Sequence, residues 1–314
     1  MKTSNMDKIM MLDDLTSLQV SGSDATKFLH AQFTNDLANL PVNSWQYSGY
    51  CTPKGRLLAF MTIARIDENE YMLILPVEIS EKVLPRLRMF VMRDDVKITS
   101  QIDHIRIIGI AGNVSALTDI VIPASGESGK VTKDGRSYLL TIDDGLTTNT
   151  ERYMYIFDSD EINRFPQADS NRNDWTLLDI QAGIPAITAA TQEAFVPQMV
   201  NLDLIGAVNF KKGCYPGQEV VARVHYLGKI KQRMFIVKSD GKTIALPDDK
   251  VYINGQEDKT AGTVVQSAII GSHQLLQVVL QTAAVINNAD IRLGSINGDK
   301  LIVDSQPYSI LEEE

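Results

Sequence analysis

The sequence predicts an α+β protein that opens with a split βαβ array of the ferredoxin-like kind and closes with a small antiparallel β-barrel or sandwich. Two patterns carry that prediction. Strand-length apolar runs alternate with two amphipathic helical segments over the first hundred residues, and after Arg233 one strand-length run follows another between turn dipeptides. The length adds a third argument: 314 residues exceed what one core of about 250–300 residues normally serves. The expected division is residues 1–232, two interleaved α+β lobes, followed by a barrel over residues 233–314.

Leu15 to Val20 reads as a strand ended by Gly22, after which Ser23-Asp24 can cap a helix that places Ala25, Phe28, Leu29, Phe33 and Leu37 on one face. Tyr47 to Thr52 and Leu57 to Ile66 form a hairpin through Pro53-Lys54-Gly55. The strand Tyr71 to Leu75 precedes a helical segment with Val83, Leu84, Leu87, Phe90 and Val91 at helical spacing, in which Pro85 should mark an early turn or a kink. Val96 to Thr99 returns as a strand. From Ile105 to Phe157 short strands and exposed turns are expected, with Gly126 to Gly129 and Asp143-Asp144-Gly145 as turns; their order cannot be read from the pattern. Ser159 to Asp174 is polar and carries Pro166, so it can begin as a helix cap and end as a connector. Trp175 to Ala182 is a helix started by Asp174 and stopped by Gly183-Ile184-Pro185. The closing strands are Met234 to Lys238, Lys250 to Ile253, Ala261 to Gln266, Gln274 to Leu280, Ile291 to Leu293 and Leu301 to Val303, and Glu312 to Glu314 form a solvated tail.

A composition of 44% hydrophobic, 22% charged and 7% aromatic residues is that of a globular protein with a real core. A net charge of −9 and a pI near 5.0 oppose a general nucleic-acid-binding surface. The balance reverses locally: Lys211, Lys212, Arg223, Lys229, Lys231 and Arg233 face only Glu219. Such a positive site on an acidic protein can focus an anionic ligand. Two cysteines, Cys51 and Cys214, are too few for a disulfide framework and suit a reducing compartment. The first residues lack the apolar core of a secretory signal, and no run approaches the ~20 apolar residues of a membrane span. A cytoplasmic, monomeric protein without membrane contact is therefore expected.

The densest chemistry lies in Lys211-Lys212-Gly213-Cys214-Tyr215-Pro216-Gly217-Gln218-Glu219, followed by Arg223 and His225. Glycines on both sides let the backbone take φ > 0 or pass close to a ligand, so a thiol can be presented on a tight turn. Nearby cations favour the thiolate, the reactive form of cysteine. A Cys–His pair requires the fold to bring His225 to Cys214. His30, His104 and His273 have no zinc-ligand spacing with either cysteine, so no stable metal is expected. Trp175 reads first as a core residue, with stacking on a flat heterocycle as the alternative. Gln198, Asn201 and Asp203 place amide and carboxylate groups on a loop where they could read the edge of such a ring.

The stretch from Asn201-Leu202-Asp203 through Phe210-Lys211-Lys212-Gly213-Cys214-Tyr215-Pro216-Gly217-Gln218-Glu219 to Arg223 resembles the signature of the YgfZ-type folate-binding proteins. These are relatives of the glycine-cleavage T-protein, an aminomethyltransferase. The resemblance extends to the Trp175 helix ending in Ala182-Gly183-Ile184-Pro185, to Phe195-Val196-Pro197-Gln198, and to Gly22 through Leu29 with Thr34-Asn35-Asp36; it is weak in the middle third and the terminal barrel. It implies a three-lobed, aminomethyltransferase-like folate-binding fold around a tetrahydrofolate or a one-carbon derivative. It also implies a role in assembling or repairing iron–sulfur enzymes, the expected clients, and thereby in tRNA methylthiolation. By the same resemblance Trp175 is one of two folate-stacking tryptophans, and Leu15 stands where the second would be. Cys214 is the functional thiol, which could exchange thiols, accept a one-carbon unit or touch a cluster. Lys212 and Arg223 favour its thiolate or hold the folate carboxylate. Gly213 and Gly217 shape the loop, while Tyr215, Gln218 and Glu219 complete the motif; Gln198 and Asn201 join Trp175 and Leu15 at the folate.

The chain departs from the transferases at one point. Their acidic pair follows a Gly-rich turn, whereas here Pro53-Lys54-Gly55-Arg56 is followed by Leu57-Leu58-Ala59-Phe60. Proton handling has no owner at that position, which favours an accessory protein over a classical aminomethyltransferase. A folate-dependent transferase using Glu193 or Glu219 is the alternative, and direct RNA binding through Lys211 to Arg233 is a third reading.

Overall fold

The computed structural model describes residues 8–112, 128–142, 151–164, 172–228, 230–256 and 259–310. The turns expected at Asp143-Asp144-Gly145, the first part of Gly126 to Gly129, Pro166 and the Glu312 tail lie outside the described residues. The chain divides into two compact units, Met1–Ser48 with Met61–Trp175, and Gly49–Phe60 with Thr176–Glu314.

The first unit contains two antiparallel sheets. A short strand, β1 (Lys8–Met11), precedes β2 (Leu15–Ser21) and the helix α1 (Ala25–Gln32); β3 (Ser44–Cys51), β4 (Leu57–Asp67) and β5 (Glu70–Pro76) follow, then α2 (Val77–Val91) and β6 (Lys97–Ser100). Strands β2 to β6 form one sheet in the order β3-β4-β5-β2-β6, the interleaving expected of a ferredoxin-like array. Asp24 is the residue before α1, but its carboxylate accepts the Asp95 amide at 2.9 Å instead of capping the helix, while Ser23 donates to Asp95. The helix ends at Gln32, so Phe33 and Leu37 reach the core from the following loop, both fully buried. Pro85 is inside α2 without ending it.

Strands β7 (Ile105–Ala111), β8 (Val131–Asp134), β9 (Ser137–Ile142) and β10 (Arg152–Asp158) make the second sheet with β1, in the order β1-β7-β10-β9-β8. One face carries Ile108, Ile110, Tyr153, Tyr155 and Phe157, the alternate residues that a buried face requires. The other face presents Gly109, paired with Met154, and Arg152. A 3-10 turn, Ser159–Arg164, ends the segment before α3 (Arg172–Gln181).

In the second unit, α3 stops where the amides of Gly183 and Ile184 return to the carbonyls of Ile180 and Asp179. A 3-10 turn (Pro197–Val200) and α4 (Gln218–Leu227) precede a closed barrel. Its strands are β11 (Gln232–Ser239), β12 (Lys250–Ile253), β13 (Thr260–Ile270), β14 (His273–Gln281), β15 (Ile291–Leu293) and β16 (Lys300–Val303), ordered β11-β14-β13-β12-β15-β16, with the short helix α5 (Thr282–Ile286) between β14 and β15. Phe235, Val237, Val251, Val264, Leu276, Val278, Leu280, Ile291 and Leu293 fill it. Each such side chain contributes about 1.5–3 kcal/mol by leaving water. Among the described residues no helix is long and apolar enough to cross a membrane.

Candidate functional site

The cysteine loop is built on the tip of the β3–β4 hairpin. Gly55 takes φ +72° and Gly217 takes φ +84°, and a Cβ at Gly217 would stand 2.4 Å from the Thr52 carbonyl oxygen and 2.7 Å from the Gly55 Cα. Two backbones therefore touch where neither position can carry a side chain. Of the two motif glycines, Gly217 meets the need for φ > 0; Gly213 is exposed and its φ is not positive. The hairpin turn closes by bonds from Thr52 N–H to the Arg56 carbonyl at 2.8 Å and from Gly55 N–H to the Thr52 carbonyl at 2.9 Å. The Arg56 guanidinium donates to the Ala194 carbonyl at 2.6 Å, and Leu57 N–H donates to Phe195, which ties the hairpin to the 192–195 segment.

On this base the motif side chains separate into buried anchors and exposed groups, Cys214 among the latter. Tyr215 is buried, and Lys212 lies buried with Nζ 5.1 Å from the Tyr215 ring centroid. Burial, and secondarily Cys51 beside it, pushes the Tyr215 phenol well above its usual range. Cys51 is sealed in the same packing, and burial pushes its thiol up to about 12. The Gln218 amide N–H donates to the Tyr215 carbonyl at 3.1 Å, and its side chain approaches the Lys212 carbonyl at 3.4 Å, so Gln218 both starts α4 and braces the loop. Cys214 is a free thiol and exposed. Glu219 and Arg223 are exposed on α4.

His225 does not pair with Cys214. It lies more than two turns along α4, ~12 Å beyond Gly217 along the helix axis, with its ring stacked on Phe210 at 3.7 Å and an interplanar angle of 9°. A Cys–His nucleophile is thus not formed.

Gln198 and Asn201 are fully buried and act as clamps. Gln198 donates to the Val221 carbonyl of α4 at 2.7 Å, and Asn201, in the left-handed conformation at φ +60°, donates to the Met234 carbonyl of β11 at 2.7 Å. Among the described residues the side-chain carbonyl oxygens of both lack a hydrogen-bond partner. Asp203, expected from sequence beside them as a ring-edge reader, is instead taken up by a bidentate pair with Arg233 at 2.7 and 2.9 Å. Both partners are buried.

In the first unit, Trp175 is 3% exposed and lies against Gly109, where a Cβ would sit 2.3 Å from the six-membered ring. The buried Arg152 guanidinium is 5.3 Å from the Trp175 ring centroid. Leu15, at the start of β2, is half-buried. Two ion pairs hold the Leu15 and Trp175 segments together: Lys8–Asp174 at 2.8 Å and Arg172–Asp14 at 2.9 Å. Neither Arg152 nor the Phe210–His225 stack was anticipated from the sequence. An arginine in a strand has no spacing that predicts burial, and α4, rich in β-branched valines, lacks a strong helical signal.

Ala59 and Phe60, which follow the hairpin turn, are both buried in β4, so no carboxylate stands at these positions. Beside them, Glu193 is exposed at φ +61° with its amide donating to the Leu57 carbonyl at 2.7 Å. Among the described residues no three His, Cys, Asp or Glu side chains are grouped to hold a metal.

Over 300 residues the chain is 28% identical to the tRNA-modifying protein YgfZ of Blochmanniella pennsylvanica, covering 90% of this chain and 89% of that protein. The chain is thus similar over nearly its whole length to proteins of that name. The YgfZ of Shigella sonnei is 27% identical over 318 residues, 97% of this chain and 94% of its own length. The family model described as the GCVT N-terminal domain matches residues 6–120. The glycine cleavage system aminomethyltransferase T of Bartonella henselae has the same fold, with a TM-score of 0.74 at 11% identity over 96% of this chain and 86% of that one. The aminomethyltransferase-like α+β class expected from the resemblance is therefore the observed class, with ferredoxin-like sheet order and a closed antiparallel barrel.

Proposed function

We propose that the chain is a tetrahydrofolate-binding accessory protein that supports assembly or repair of iron–sulfur enzymes and, through them, tRNA methylthiolation, with Cys214 as its working thiol. The observation that carries the reading is the division of labour in the cysteine loop. Tyr215, Lys212, Gly217 and Gln218 are committed to holding its shape, while the thiol of Cys214 is left exposed. The curated relatives matched over nearly their full length are named as tRNA-modifying proteins, which agrees with this role.

Folate fits some of the residues directly. A pterin edge offers N–H donors, and the side-chain oxygens of Gln198 and Asn201 are buried acceptors awaiting donors, a costly condition that a ligand would relieve. Within the first unit, Trp175, backed by Gly109 and Arg152, is the aromatic residue proposed to report folate, and Leu15 is the apolar residue where the resemblance implies a second tryptophan. Arg223, exposed on α4, would meet the glutamate carboxylates, and Gly213 and Glu219 would border the thiol. Reduced folates supply one-carbon chemistry at their ring nitrogens; with Ala59 and Phe60 buried, no carboxylate stands at that position to move a proton. The reading places the protein in the cytoplasm, where both cysteines stay reduced.

Two measurements test it. Cells carrying Cys214→Ser in place of the wild-type chain should lose tRNA methylthiolation and grow poorly; normal levels of both would remove the thiol from the mechanism. Tetrahydrofolate should quench the tryptophan fluorescence of the purified protein, and Trp175→Phe should abolish that response while Trp45 stays as an internal reference. Equal quenching by unrelated anions would count against a folate site.

A second reading, a folate-dependent methyl- or aminomethyltransferase, is favoured by Glu193. A non-glycine residue held in the left-handed region is strained, and such strain collects at functional sites. Turnover of a methylated amine with tetrahydrofolate that disappears in Glu193→Gln would establish it.

A further inference from the structure

At the far end of α4 the chain exposes aromatic and apolar surface that the fold does not use. Tyr226 is 62% exposed and Leu227 85% exposed, although the helix buries Val221 on its other side. Tyr226 does not stand alone. Its ring meets His225 edge-on at 4.7 Å and Phe210 at 6.2 Å, while His225 and Phe210 lie flat on each other. Two rings already stacked hold the third from the side, which limits its rotation at little entropic cost on binding.

The charges around this platform are mainly positive. Lys211 follows Phe210 directly and is exposed; Arg223 is exposed one turn before Tyr226 on the same face; Lys231 is exposed four residues past Leu227. Glu219, one further turn back, is the acid on that helix face. A cationic rim around an exposed aromatic ring on a protein of net charge −9 is selective for an anion that also carries flat, stackable groups. An acidic peptide would satisfy the charges but leave the rings without a partner of their own shape. From this geometry we infer that the Phe210–His225–Tyr226 cluster is a docking platform for a single strand of nucleic acid, one base stacking on Tyr226 and the phosphates lying along Lys211, Arg223 and Lys231. The site shares Arg223 with the folate reading but does not rest on that reading, since its aromatic platform is made of Phe210, His225 and Tyr226 and includes neither Trp175 nor Leu15.

The test uses the full-length protein and a fluorescently labelled twelve-nucleotide oligouridine, with oligodeoxyuridine of the same length and polyglutamate as competitors, read by anisotropy. Binding should weaken steeply with salt, with a slope of log K against log salt of about −2 for three phosphate contacts on a single strand. Tyr226→Ala should weaken it about tenfold, the loss expected of one base–aromatic stack, and Tyr226→Phe should restore it. Lys211→Gln should flatten the salt slope by roughly 0.7. An oligouridine complex stronger than the deoxyuridine one assigns RNA as the ligand; the reverse assigns DNA. No binding at low salt, or competition by polyglutamate with no effect of Tyr226→Ala, would overturn the inference. Tyr226 is exposed, so an unchanged melting temperature in Tyr226→Ala is expected and excludes misfolding as the cause of any loss.

Discussion

A methyl group added at Gly217 would meet the backbone of the β3–β4 turn, with the Thr52 carbonyl oxygen 2.4 Å away, and would also strain a residue at φ +84°. Backbone cannot swing aside as a side-chain tip can, so Gly217→Ala should cost more than about 2 kcal/mol and displace the thiol. Gly206 is the control: at φ +70° it has open space around it, and Gly206→Ala should cost only the left-handed penalty of about 1 kcal/mol. Urea midpoints of the two variants check the difference. The cysteines should behave oppositely. A thiol reagent at neutral pH should modify Cys214 in the native protein and reach Cys51 only after unfolding, so that one thiol reacts per native chain and two in denaturant. Gly55 and Gly217 were readable as turn residues, but their mutual contact was not, because it joins positions far apart in sequence. Gln198 and Asn201 were readable as polar loop residues; that their amides would be spent on Val221 and Met234 depended on where α4 and β11 came to lie.

Pro85 tests an element. It is exposed within α2, in a helix whose Ile79, Val83 and Leu87 form the buried stripe. An interior proline costs about 3 kcal/mol relative to alanine, offset by up to about 1 kcal/mol because it stiffens the unfolded chain. Pro85→Ala should therefore stabilise the protein by ~2 kcal/mol, seen as a raised urea midpoint with an unchanged slope. The amphipathic period around Pro85 was legible and was right about the helix; the stripe of buried residues overrode the local objection of the proline. The opposite occurred in α4, where Val220, Val221 and Val224 do stand at helical spacing, but three β-branched residues in a short segment after a Gly-Pro-rich loop do not read as a helix. Its start is fixed by the Gly217 contact and the Gln198 clamp, both tertiary. The barrel strands were legible because turn chemistry punctuates them, and the observed Lys250–Ile253 and Ile291–Leu293 coincide with the expected runs. Their order around the barrel was not, since β11 pairs with β14 and β16 across long stretches of chain.

For the whole molecule, stability should form a dome in pH. Asp36, Asp95, Asp290 and Asp299 are held below the usual carboxylate range, chiefly by hydrogen bonds from Asn39, Ser23, Arg292 and Thr243 respectively. A lowered folded-state value stabilises above pH ~4 and the contribution is lost as pH falls below it. At the other limb, Cys51 is raised from 9.0 to about 12. The unfolded chain then releases its proton first, so stability is intact below pH ~9 and falls between there and 12 by up to about 1.4 kcal/mol per pH unit. Tyr153 and Tyr308, raised from 10.0 to about 12 chiefly by burial, steepen the same limb above pH 10. Urea midpoints from pH 3 to 11 should trace both limbs, and Cys51→Val should flatten the alkaline one between pH 9 and 10. With a pI near 5.0, solubility should be lowest about there.

The class of the fold, most of its strands and helices, and the loop that carries the thiol are legible along the chain, because periodicity, turn residues and a cysteine between glycines are local signals. Long-range packing is what seals Cys51 beside Tyr215, commits Asp203 to Arg233 and stacks His225 on Phe210. Those outcomes are set by which distant segments share a core, and burial, unlike a turn, leaves no mark on the residues next to it in the chain.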